Sequence, residues 1–98
     1  MILVRMVFQV KWGHVHEVLA DFKKFQEIMQ QESKGRGRLL TDLSGPFNTL
    51  VQEIEVESLA AWEQQRAEIF SRPDFQESQA RSAGLIESGR VEFYTIEG

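Results

Sequence analysis

The sequence has no cysteine, and it holds only two prolines and two histidines among its 98 residues. Without cysteine there can be no disulfide, thiolate metal site or thiol nucleophile, so a reducing compartment, the cytoplasm by default, is expected. Long apolar runs are also missing, since Arg5 interrupts the first one. A signal-peptide core and a transmembrane span are therefore not predicted. These absences predict a water-soluble protein that makes no use of a membrane.

An excess of positive charge is absent as well, because the net charge is -4. Residues 1 to 38 carry seven Lys and Arg against four acids, whereas residues 39 to 98 carry four Arg against eleven acids. The basic residues between positions 23 and 38 lack the interleaved aromatic residues that would stack on bases. We therefore expect no nucleic-acid partner, and expect the two charged halves to pair within the fold or across a dimer.

The stretch Ile2–Val10 has the period-2 pattern of a β-strand. Its even positions are all apolar, which predicts one fully covered face. On its odd positions, Leu3 and Val7 alternate with Arg5 and Gln9. A face that mixes apolar and polar side chains is not expected to be exposed to water alone. The simplest partner to pack against it is a second copy of the protein.

The rest of the chain alternates helical and strand patterns. The predicted elements are a helix that begins near His14, a glycine-containing loop over residues 32–38, strands over residues 39–43 and 49–56, a helix capped by Ser58, a second helical segment opened by Pro73 and ended by Gly89, and a strand over residues 90–96. The glycines of the loop follow a helix rather than a strand, which argues against a phosphate-binding loop. The order βαββαβ predicts one domain, residues 1–98, of the α+β, ferredoxin-like class: a four-stranded antiparallel sheet with helices on one face.

His14 and His16 are the only imidazoles in the sequence. Two residues apart at a helix start, they do not share a face, and no acid follows them with metalloprotease spacing. We therefore predict no metal site. Either histidine could instead overhang the mouth of a pocket and serve there as an acid or base.

Four segments carry a family resemblance: KWGHVHEVLADF after the first strand, SLAAWEQQ at the start of the second helix, the SRPDFQE break, and the closing SGRVEFYTIE. Together they resemble the dimeric α/β barrel superfamily, in particular its NIPSNAP-like and antibiotic-biosynthesis-monooxygenase-like members. The resemblance implies a homodimer joined through its sheet faces, with a small-molecule pocket between sheet and helices in each subunit. Haem-degrading relatives place an iron-ligating histidine on the second helix, whereas residues 58–87 contain none. This departure argues against haem, and no cofactor is expected.

Cofactor-independent oxygenases of the same superfamily use polar pocket residues to deprotonate and hold a phenolic substrate. Arg5, Gln9, Glu53, Glu92 and Tyr94 could supply such groups. The same side chains also have a structural explanation, since the face parity of the strands allows Arg5 to pair with Glu53 or Glu92.

Two functional classes remain open. The first is an enzyme or binder of a small apolar or aromatic compound, with Arg5, Glu53, Trp62, Tyr94 and His14 near the ligand. The second is a non-catalytic homodimerisation or interaction module in which the same residues only hold the barrel together. An enclosed cavity against the sheet, lined by convergent polar groups, would favour the first class, and a solidly packed barrel would favour the second.

Overall fold

A computed structural model describes residues 1–32 and 37–98 of the chain. Its elements, in order, are β1 (Ile2–Val10), α1 (Val15–Gln31), β2 (Gly37–Thr41), β3 (Thr49–Val56), α2 (Leu59–Phe70), α3 (Pro73–Ser82) and β4 (Ile86–Thr95). The predicted α+β, ferredoxin-like order is confirmed, with the second helix divided in two.

The four strands form one antiparallel sheet in the order β2-β3-β1-β4. The strand β1 lies in the interior of the sheet, and its central residue Arg5 is paired in register with Glu53 of β3 and Glu92 of β4. Even-numbered side chains of β1 face the helices, on what we call the helical face. Odd-numbered side chains lie on the opposite side, which we call the open face.

The core lies between the helical face and the helices, in two clusters. Val4, Val56 and Trp62 form the first cluster. The second consists of Val10, Val18 and Leu50, against which side chains of α1 and β4 pack. The site described below lies on the same side of the sheet as these clusters.

Local sequence signals explain where the helices begin. The Ser58 hydroxyl accepts a hydrogen bond from the backbone N–H of Ala61 at 3.1 Å, as expected of an N-cap. Pro73 occupies the first turn of α3, where its missing N–H costs no helical hydrogen bond. Gly13 has a φ of 83°, a left-handed conformation that suits glycine, at the turn from β1 into α1. In the described part of the chain, no helix is both long and apolar enough to cross a membrane.

Two strand boundaries differ from the prediction. The strand β2 begins at Gly37 and ends at Thr41, two residues earlier than expected. The strand β4 begins at Ile86, so Gly89 lies inside it rather than at the end of a helix. A Cβ at this position would lie 3.2 Å from Cδ1 of Phe8, so glycine is used here because a neighbouring side chain comes close to the backbone. Part of the predicted loop, residues 33–36, lies outside the described residues.

Candidate functional site

A cavity of about 450 Å³ lies between the helical face and the helices. This volume is within the range of small-molecule sites in proteins. Its lining comes from the sheet and from all three helices: Met6, Phe8, Gln52, Ile54 and Ile86 from the strands, Phe22 and Phe25 from α1, Trp62, Arg66, Ile69 and Phe70 from α2, and Phe75, Ser78, Gln79, Ser82 and Ala83 from α3 and the turn that follows it.

Six of the described lining residues are aromatic, and five of these rings contact another ring of the lining. Phe8 and Phe22 meet edge to face, with ring centroids 5.3 Å apart, and so join the sheet to α1. Phe75 lies 5.4 Å from Phe25 and stacks on Phe70 at 5.3 Å, which joins α3 to both other helices. These ring contacts connect the sheet and the three helices around the cavity.

The hydroxyls of the two lining serines, Ser78 and Ser82, already donate hydrogen bonds to the carboxylate of Asp21. Ser78 donates a hydrogen bond to Oδ2 of Asp21 at 2.5 Å and Ser82 donates to the same oxygen at 3.3 Å, while Arg81 donates to Oδ1 at 2.7 Å. Burial raises the pKa of Asp21, but the hydrogen bonds from Ser78 and Arg81 outweigh it, so the pKa lies below its ordinary value. This cluster fastens α3 to α1 and presents satisfied hydroxyls to the cavity.

The cavity lining has a buried part, which holds Trp62 and the two serines, and an exposed part. Trp62 lies deep inside, with 6% of its surface exposed. Arg66, Phe70 and Gln79, which also line the cavity, are exposed and mark its opening between α2 and α3. The Arg66 guanidinium carbon lies 5.6 Å from the centroid of the Phe70 ring, within the range of a cation–π contact.

A second ion-pair cluster fixes the corner at which α2, α3 and the end of α1 meet. Arg72 donates to Glu32 at 2.6 Å and to Asp74 at 2.8 Å, and its guanidinium carbon lies 5.9 Å from the Phe25 ring centroid. The hydrogen bond with Asp74 is the main reason that the pKa of Arg72 is raised and that of Asp74 is lowered. Both groups are therefore charged at neutral pH, and they keep the aromatic wall in place.

The open face carries a separate charged cluster around β1. The Nε atom of Arg5 lies 3.6 Å from Oε2 of Glu53 and 3.9 Å from Oε1 of Glu92, so the predicted ion pairs are confirmed. Glu53 is buried, and its shortest contact is with Arg38, which donates to Oε1 at 2.6 Å. The Arg5 Nε atom is itself buried and has no hydrogen-bond acceptor among the described residues.

Glu92 joins this cluster to the edge strand β4. Arg90 donates to Oε2 of Glu92 at 2.9 Å, and the Tyr94 hydroxyl donates to Oε1 at 3.2 Å. The hydrogen bond from Arg90 is the largest reason that the pKa of Glu92 is lowered; burial opposes it, and Tyr94 adds to it. The carboxylate therefore accepts hydrogen bonds from Arg90 and Tyr94 and also lies in ion-pair range of Arg5.

The structure does not bring the five predicted ligand-binding residues into one site. Arg5, Glu53 and Tyr94 lie on the open face. Trp62 lies on the other side of the sheet, in the cavity. His14 precedes the first turn of α1, where its Nδ1 is 2.9 Å from a carboxylate oxygen of the same turn. In the described part of the chain, no three His, Asp or Glu side chains are grouped to hold a metal.

Several cavity residues were not singled out for a functional role by the sequence. Gln52 lies on the helical face of β3, and Phe75 lies near the start of α3. Arg66 falls on the otherwise apolar stripe of α2, and this mismatch is the signal that could have identified it. A cation on a buried stripe either pairs with an acid or faces a cavity.

No model of a known protein family matches the chain, and no curated protein sequence matches it significantly. Solved structures do match it. One is an uncharacterised NIPSNAP domain protein from Burkholderia xenovorans, with a TM-score of 0.84 and 20% identity over 98% of this chain and 94% of the other. A NIPSNAP family protein from Agrobacterium tumefaciens matches with a TM-score of 0.85 and 18% identity over 96% and 90% of the two chains.

A structure named as an antibiotic biosynthesis monooxygenase is also similar, with a TM-score of 0.76 and 18% identity over the whole of both chains. These likenesses confirm the ferredoxin-like fold and the structural resemblance expected from the sequence. At such low identity they establish the fold alone, and the activity has to be argued from the site.

Proposed function

We propose that this chain binds a small apolar or aromatic molecule in the cavity between its sheet and its helices. The observation that carries the proposal is the cavity itself. The recess is open on one side, and its volume of about 450 Å³ lies within the range of small-molecule sites in proteins. Paired aromatic rings from four elements line the space, so it is a structured recess with a shape of its own.

The chemistry of the lining supports binding better than catalysis. A phenol oxygenase without a cofactor needs a group that accepts the substrate proton. Among the described residues, the polar groups that line the cavity are Gln52, Arg66, Gln79 and two serines whose hydroxyls already donate to Asp21. None of these is a base at neutral pH. The likeness to a structure named as a monooxygenase concerns the fold, so the proposal stands on the cavity and its lining.

The proposal is tested by thermal shift with a panel of naphthols, naphthoates and neutral naphthalene derivatives. A ligand that binds only the folded state at about 100 times its Kd stabilises by about 2.7 kcal/mol, a clear rise in melting temperature. The variant Ile69→Trp fills the cavity from α2 and should abolish the shift. Leu59→Trp, on the exposed part of the same helix, should keep it. No shift with the wild type, or an equal shift in Ile69→Trp, would contradict the proposal.

We also propose that the open face joins two copies of the chain. Val7 and Val51 lie at its centre, with Leu3 and Leu40 beside them. In the described part of the sheet this face carries three arginines and three glutamates: Arg5, Arg38, Arg90, Glu53, Glu55 and Glu92. Balanced charges around an apolar centre suit an isologous contact, in which each patch meets its own copy.

Sedimentation velocity tests this second proposal. The wild type should sediment as a dimer at micromolar concentration. A stable contact of this kind buries about 2,000 Å² or more in total. Leu40→Lys, on the open face, should raise the concentration needed for association. Leu43→Lys, in a fully exposed loop, should leave it unchanged. A folded wild-type monomer at these concentrations would overturn the proposal.

A further inference from the structure

Among the lining residues that the structure describes, one is charged, Arg66, and its surroundings differ from those of the two neighbouring arginines. Arg72 is held by two carboxylates, and Arg81 is held by Asp21. Within residues 1–32 and 37–98, no carboxylate oxygen lies within 4.0 Å of the Arg66 guanidinium. A cation is thus presented at the mouth of an apolar recess without a partner anion.

The position of Arg66 makes the exposed part of the cavity lining chemically different from the buried part. The buried part of the lining holds the Trp62 ring and the two serines whose hydroxyls already donate to Asp21, while the exposed part includes Arg66, Phe70 and Gln79. The contact with Phe70 keeps the guanidinium beside the opening. A ligand that satisfies both parts has an apolar body and a negatively charged head.

We infer that the ligand of this cavity is an aromatic or other apolar carboxylic acid, whose carboxylate pairs with Arg66 while its body occupies the aromatic recess. This inference rests on the binding function proposed above and adds the charge of the ligand. Guanidinium and carboxylate match in geometry and can form two parallel hydrogen bonds. Gln79 offers a further donor beside them. A neutral compound of the same shape would fill the recess but leave the guanidinium without an anion.

The experiment compares 2-naphthoate with 2-naphthamide, which share the ring system and differ in the charge of the head group. Isothermal titration calorimetry on the wild-type protein should give about tenfold tighter binding for the acid. Because Arg66 is exposed, the difference should shrink as salt is added. In Arg66→Gln the two compounds should bind within about twofold of each other, with the affinity of the amide unchanged. Arg66→Lys should keep part of the preference.

Lys24→Gln removes an exposed cation on α1 that does not line the cavity, and it should behave as the wild type does.

If both compounds bind the wild type equally, the binding function stands and the inference about the acid is wrong. A preference for the acid that persists in Arg66→Gln also overturns it. If neither compound binds, both the inference and the proposed function for this ligand class fail. An unchanged melting temperature of the ligand-free Arg66 variants shows that the fold is intact.

Discussion

The buried carboxylate of Glu53 permits a sharp test of the charged cluster on the open face. Glu53 has two cationic neighbours, Arg38 at 2.6 Å and Arg5 at 3.6 Å. Removal of one arginine leaves the carboxylate with the other. Removal of both leaves it buried and uncompensated. The single substitutions Arg5→Met and Arg38→Met should therefore be mild, and the double substitution disproportionately severe.

The free energy of unfolding that each variant should lose depends on how exposed the substituted arginine is and on whether Glu53 keeps a cationic partner. The Arg38 side chain is 70% exposed, so its pair resembles a surface ion pair, and Arg38→Met should cost about 1 kcal/mol or less. The Arg5 side chain is 38% exposed and its contacts are longer, so Arg5→Met should cost about 1 kcal/mol from the charge and somewhat more from lost packing. An uncompensated buried charge costs about 3 to 5 kcal/mol, which is the expected result for the double variant.

Urea denaturation at one fixed protein concentration measures these free energies, and the double-mutant cycle isolates the coupling. The fixed concentration matters because association would contribute to stability. Lys24→Met is the control, an exposed cation for which a change within about 0.5 kcal/mol is expected. The reasoning is refuted if the double variant loses no more than the sum of the single variants to within about 0.5 kcal/mol.

Three further predictions concern local features. Ser58→Ala should destabilise by about 1 kcal/mol in urea melts, because the first turn of α2 loses its cap. Gly89→Val should cost about 1 to 3 kcal/mol, since its side chain would collide with an aromatic ring of β1, whereas Gly84→Val, with nothing within 4 Å of the added Cβ, should cost much less. The folded-state pKa of Asp21 is depressed below 3.8, so its contribution is fully present above that pH and is lost as the pH falls through the lower folded value. Melts at about pH 6 and about pH 3 should therefore show a smaller pH dependence in Asp21→Asn than in the wild type.

The fold could be predicted because its signals are local and periodic. The alternation along Ile2–Val10, the cap at Ser58 and the break at Pro73 each determine one element, and their order leaves few topologies. The boundaries of β4 were harder to predict, because Gly89 is typical of a turn by itself. Its true role depends on contact with Phe8, which is 81 positions away in the sequence and adjacent in the sheet.

The site was less predictable than the fold, since strand parity assigns a side chain to a face but does not say which face bounds a cavity. Arg5, Glu53 and Tyr94 were correctly expected to share a side of the sheet. The cavity, however, lies on the other side and depends on how the rings of α1 and α3 meet. Those contacts are set by helix packing, which a single sequence does not encode in any local pattern. Trp62 was the one predicted ligand-binding residue that lines the cavity.

The central claim, that an apolar molecule enters the cavity beside α2, is tested most directly by the two tryptophan indole N–H signals in a ¹H–¹⁵N spectrum. The protein has two tryptophans: Trp62 lines the cavity, whereas Trp12 is 77% exposed and does not. Titration with 2-naphthoate should shift the Trp62 signal to saturation and leave the Trp12 signal in place, and Ile69→Trp should prevent the shift. If only the Trp12 signal moves, or neither moves at ligand concentrations in the millimolar range, the cavity is not a binding site for this class of molecule.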